Sequence, residues 1–73
     1  MNRNAVLADL ALANKRIADD QRRIGHQEQC VTELELDGHD SKQATALLRT
    51  YRRVRLAHVG YRNLLLRRLR AMR

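Results

Sequence analysis

Seventy-three residues limit the chain to one small domain, whose core alone supplies roughly 3–5 kcal/mol, so support from self-association is expected. Pro, Trp and Phe are absent and Gly occurs only at 25, 38 and 60, in a background rich in Ala, Leu, Arg, Gln and Glu, which disfavours a β-rich fold and points to helix. The net charge of +7 hides an asymmetry: the first forty positions carry eight acidic and five basic residues, net −3, whereas the rest carry ten basic residues and no acid, net +10.

The first helix is expected over about 4–36. Leu10, Ile17, Ile24 and Val31 recur every seven residues, with Val6, Ala13 and Leu34 on the neighbouring row, so one stripe of a helix is apolar. The apolar run from Ala5 to Ala13 contains Asp9 and continues into Asn14, Lys15 and Arg16, which argues against a cleaved leader. No apolar run approaches the ~20 residues that cross a bilayer, so the expectation is a soluble, cytoplasmic protein. Cys30 stands alone and excludes an internal disulfide framework. His26 and Cys30 are four apart and share a helix face, but two ligands fall short of the four that a structural zinc takes, so no metal or other cofactor is expected.

A turn is expected over about 37–40. Gly38 suits the left-handed conformation that ends a helix, and Asp40 followed by Gln43 has the spacing of a capping box that starts another. The second helix is expected over about 41–71, where Ala44, Tyr51, His58, Leu65 and Met72 repeat every seven residues, flanked by Leu47, Val54 and Tyr61 on one side and by Leu48 and Leu69 on the other. The fold class is therefore all-α, an antiparallel, coiled-coil-like two-helix hairpin about 45 Å long.

A short turn centred on His39 makes the numbers of facing residues add to about 78. Leu34 then meets Ala44, Val31 meets Leu47 or Leu48, Ile24 meets Val54, Ile17 meets Tyr61, Ala13 meets Leu65 and Val6 meets Met72. Small residues face large ones, as close packing requires. Two polar layers interrupt this seam: Gln27 opposite Tyr51, and Asp20 or Gln21 opposite His58. Such layers fix alignment at some cost in stability. An acid–base role for His58 with Asp20 lacks an accompanying nucleophile or oxyanion donor, so an enzyme is not expected.

Two surfaces remain. Lys42, Arg49, Arg52, Arg53, Arg67 and Arg70 project away from the seam on one broad face, with Arg55, Arg62 and Arg73 nearer the flank; they form either a solvated face or a strip for nucleic acid or another polyanion. Leu56, Val59, Leu64 and Leu66 fall outside the seam and are the candidates for self-association, most simply a dimer of hairpins forming a four-helix bundle. The leading expectation is a non-enzymatic protein-interaction or scaffold module; the alternative is an accessory factor that binds nucleic acid nonspecifically.

The segment Glu33-Leu34, Gly38-His39-Asp40-Ser41, Ala44, Leu47-Leu48, Tyr51, with His58 and Leu64-Leu65 beyond it, resembles a group of short alphaproteobacterial proteins with an E-L-x-x-x-G-H-D-[ST] turn. The resemblance implies a helical hairpin and assigns no activity. The chain departs from that group in carrying Arg52-Arg53 after the aromatic residue, where acidic residues are frequent.

Overall fold

The computed structural model describes residues 2–72, so Arg73 lies outside the described residues. Two helices, α1 (Arg3–Leu36) and α2 (Lys42–Ala71), pack against each other as a hairpin. The Cα trace spans 57 Å along its long axis. That exceeds the expected length because α1 runs for 34 residues, about 51 Å of helix at 1.5 Å per residue.

Both helix starts and the first helix's end are held by local hydrogen bonds. The Asn2 side chain accepts from the Ala5 N–H at 2.7 Å, satisfying a donor of the first turn. At the far end Asp37 is the C-cap, and Gly38 follows with φ +73°. The His39 N–H donates to the Leu34 carbonyl at 2.8 Å and the Gly38 N–H to the Glu35 carbonyl at 3.1 Å. This is the paired closure that a left-handed glycine makes possible. Asp40 caps α2 differently from the capping box expected of it. Ser41 is the N-cap residue and makes no side-chain cap bond, while the Asp40 carboxylate accepts from the Lys42 N–H at 3.0 Å, two residues on. A short Asp side chain reaches the nearest free donor, and the reciprocal partner at Gln43 is not needed.

Along α1 the expected stripe is the buried one. Val6, Ala13, Asp20 and Ile24 are buried, and Leu10, Ile17, Gln27, Val31 and Leu34 half-buried, so the inner surface consists of two rows spaced by seven. On α2 the central row Ala44, Tyr51, His58, Leu65 and Met72 faces inward as expected. Its inner neighbour is the row Leu48, Arg55, Arg62 and Leu69, with Leu48 buried and the other three half-buried. The row Leu47, Val54 and Tyr61 is turned outward, 41%, 38% and 43% exposed. The expected pairings of Ile24 with Val54 and of Ile17 with Tyr61 are therefore corrected, and Leu48 rather than Leu47 serves the Val31 level.

The two edges of α1 that border the seam differ in charge. The edge of α1 beside the Arg52 and Arg55 flank carries Glu28 and Glu35, and Arg52 reaches Glu28 at 3.4 Å. The other edge of α1 carries Arg16 and Arg23. The half-buried Arg55 and Arg62 stems lie along the seam and cover apolar surface, with the Arg55 Nε buried.

A methyl group added at Gly38 would meet nothing within 4 Å, so Gly38→Ala is penalised by its backbone conformation alone. That change is expected to cost about 1 kcal/mol or slightly more, and Asp40→Ala about 1 kcal/mol. Thermal melting followed by circular dichroism reads both; unchanged midpoints would show that the turn does not hold the hairpin.

Candidate functional site: a polar layer inside and an uncharged stripe outside

Inside the seam, Asp20 is 4% exposed and its carboxylate lies 2.5 Å from Nδ1 of half-buried His58. Their numbers add to 78, and Asp20, not Gln21, takes the inward position; Gln21 is exposed. A carboxylate removed from water requires such a partner. The second expected layer differs. The Gln27 amide donates to the Ala44 carbonyl at 2.9 Å in place of meeting Tyr51. A backbone carbonyl retains a second lone pair after its helical bond, so near the turn it offers the half-buried amide an acceptor. The Tyr51 ring instead has the Arg23 guanidinium 5.9 Å from its centroid. In the neighbouring inner row the Arg55 Nε is buried without a hydrogen-bond partner. These groups align two helices, and of them Arg23 also lines an open surface pocket with Asp19, Arg22 and His26.

The other titratable clusters are equally local. Asp19 is held by Arg22 one turn along α1, beside His26. His26 and Cys30 are both exposed, and among the described residues no group of three or more His, Cys, Asp or Glu is arranged to hold a metal ion. Among the described residues no helix is long and apolar enough to cross a membrane.

The outer surfaces divide in a way that the sequence alone does not separate. Lys42, Arg49 and Arg70 form one outer row of α2 and Arg53 and Arg67 the next, and all five are exposed. Arg52 belongs elsewhere, on the flank, where it pairs with Glu28. Of the four self-association candidates, Leu56 and Val59 are three apart and Val59 and Leu66 seven, so these three lie on adjoining rows, Leu56 64% exposed and the other two half-buried on the flank that bears Arg52. Leu64, two from Leu66 and five from Val59, is half-buried on the opposite flank.

Leu64 belongs instead to a second stripe on α2. Leu47, Thr50, Val54, Ala57, Tyr61 and Leu64 follow one another at steps of 3, 4, 3, 4 and 3, so they lie along one face. None carries a charge; the first five are exposed and Leu64 is half-buried. The stripe runs over about 25 Å of helix. On α1 the exposed apolar residues Leu7, Leu12 and Leu36 share no such spacing.

No family model matches the chain, and no curated protein or solved structure is similar to it.

His58→Ala leaves the Asp20 carboxylate buried without its partner and is expected to cost about 2–4 kcal/mol, whereas the double change Asp20→Leu with His58→Leu should be near neutral or stabilising. Chemical denaturation of the two variants beside the wild type checks this. A double variant as unstable as His58→Ala would show that the pair contributes more than alignment.

Proposed function

We propose that the hairpin is a non-enzymatic protein-interaction module and that its working surface is the second stripe of α2. The observation that carries this reading is the outward placement of Leu47, Val54 and Tyr61 in line with Thr50, Ala57 and Leu64, which gives α2 two apolar faces although α1 covers one. An apolar stripe of that length on a small protein marks a contact surface.

Pairing of two hairpins into a four-helix bundle is one way to cover the stripe, and a helix from another protein is the other. Replacing Ala57 by a photoreactive phenylalanine in the full chain, expressed in its native cells, tests the surface itself. The expected result is a discrete covalent adduct from position 57, lost when Val54→Gln and Tyr61→Gln are added, and absent when the probe stands at Ala18 on α1. An adduct unaffected by those substitutions, or none, would overturn the reading.

A second reading, nonspecific binding of nucleic acid, is favoured by the exposed outer rows Lys42, Arg49, Arg53, Arg67 and Arg70. Five phosphate contacts would make the logarithm of affinity fall with the logarithm of salt at a slope of about −4.5 on duplex DNA. A titration of the full chain with duplex DNA and with RNA between low and moderate salt measures this slope; no binding at low salt rejects this second reading.

A further inference from the structure

We infer that the occupant of the α2 stripe is an acidic amphipathic helix of another protein, laid along Leu47, Val54, Tyr61 and Leu64. The inference rests on the reading of that stripe as an interaction surface and goes further by fixing the chemistry of what it takes. Charge beside the stripe decides between occupants. The row of α2 on its outer side is Ala46, Arg53, Gly60 and Arg67. The row of α1 on its inner side is Asp9, Arg16, Arg23 and Cys30. Arg16, Arg23, Arg53 and Arg67 are all exposed, and Asp9 is the one acid in these bordering rows, near the open end of the hairpin. An uncharged track with guanidinium groups on both sides complements a helix whose leucine-like face is edged by glutamate or aspartate.

A second copy of this chain complements it poorly. An α2 helix seated on the stripe would set two helices without a single acidic residue against each other. An α1 helix seated there would bring Leu7, Leu12 and Leu36, which do not share a face, so it has no apolar stripe to offer. Arginine also suits this task better than lysine, because its planar fork binds carboxylates in pairs of hydrogen bonds. Steering by the surplus positive charge would speed encounter with an acidic partner and would make the association sensitive to salt.

The test uses the full hairpin and two synthetic helical peptides of about 21 residues, each a length of some 30 Å. Both carry leucine at alternating steps of three and four; one has glutamate on the edges of that face and the other lysine. Fluorescence anisotropy of labelled peptide is read at low and high salt. The expected result is binding of the glutamate peptide at least ~10-fold tighter than the lysine peptide, weakened several-fold by salt. Val54→Gln and Tyr61→Gln change side chains already in contact with solvent and should abolish binding with an unchanged helical spectrum. Arg53→Gln with Arg67→Gln should erase most of the preference for the glutamate peptide.

Equal binding of the two peptides would overturn the acidic partner. So would sedimentation equilibrium showing a dimer that Val54→Gln dissociates, since a second copy would then own the stripe. Duplex DNA displacing the glutamate peptide from wild type but not from the arginine double variant would place nucleic acid on the same guanidinium groups and would likewise overturn it. The photocrosslinking outcome at position 57 is independent of these: an adduct there combined with failure of the glutamate peptide retains the interaction surface and rejects the chemistry assigned to its partner.

Discussion

Five residues, 37–41, separate the end of α1 from the start of α2, and that brevity constrains everything beyond them. A longer connection would let α2 slide or rotate against α1. Here the Gly38 conformation and the bonds from Gly38 and His39 back to Glu35 and Leu34 fix where the chain reverses. From that point each residue of one helix has an assigned level on the other. Asp20 meeting His58, thirty-eight residues away, is a direct result. So is Arg52 reaching Glu28 on the acidic edge.

The turn sets height along the rod but leaves the rotation of α2 about its own axis to other forces. Apolar content favours the row Leu47, Val54 and Tyr61 over the row Leu48, Arg55, Arg62 and Leu69, yet the second row is the one turned inward. Glu28 and Glu35 line the edge of α1 on that side and Arg16 and Arg23 the other edge. The outcome puts Arg55 and Arg62 in the seam, including a buried guanidinium nitrogen without a partner, and leaves Leu47, Val54 and Tyr61 outside. A burial that is suboptimal for the isolated hairpin thus coincides with an outward stripe suited to a second contact.

Much of this was legible in the sequence. Repeats of seven in each half, Gly38 at the reversal and Asp40 just beyond it are local signals, and they specify two helices and the antiparallel register. Rotation was less accessible, because apolar content favours turning the row of Leu47 inward over the row of Leu48, which carries Arg55 and Arg62, and the structure does the opposite. The same preference conceals the stripe. With Val54 and Tyr61 read as seam residues, Leu64 groups with Leu56, Val59 and Leu66 as leftover apolar residues, although only the last three adjoin one another. Counting steps of three and four outward from Leu47 would have recovered Thr50, Ala57 and Leu64 as members of one line.

The distribution of the buried residues along the rod also bears on kinetics. Val6, Ala13 and Leu65, the most deeply buried apolar residues, sit toward the open end, whereas the turn end is closed by the chain itself and the middle by Asp20 and His58. Contacts near Gly38 join residues close in sequence and lose little chain entropy on forming, so they are available early; those at the open end join the most distant segments and form late. Substitutions in the turn should then act mainly on the rate of folding, and those at Val6 or Leu65 mainly on the rate of unfolding. The hairpin behaves as a zip whose starting point is conformational and whose final fastening is hydrophobic, so its lifetime in the folded state is set farthest from the place where folding begins.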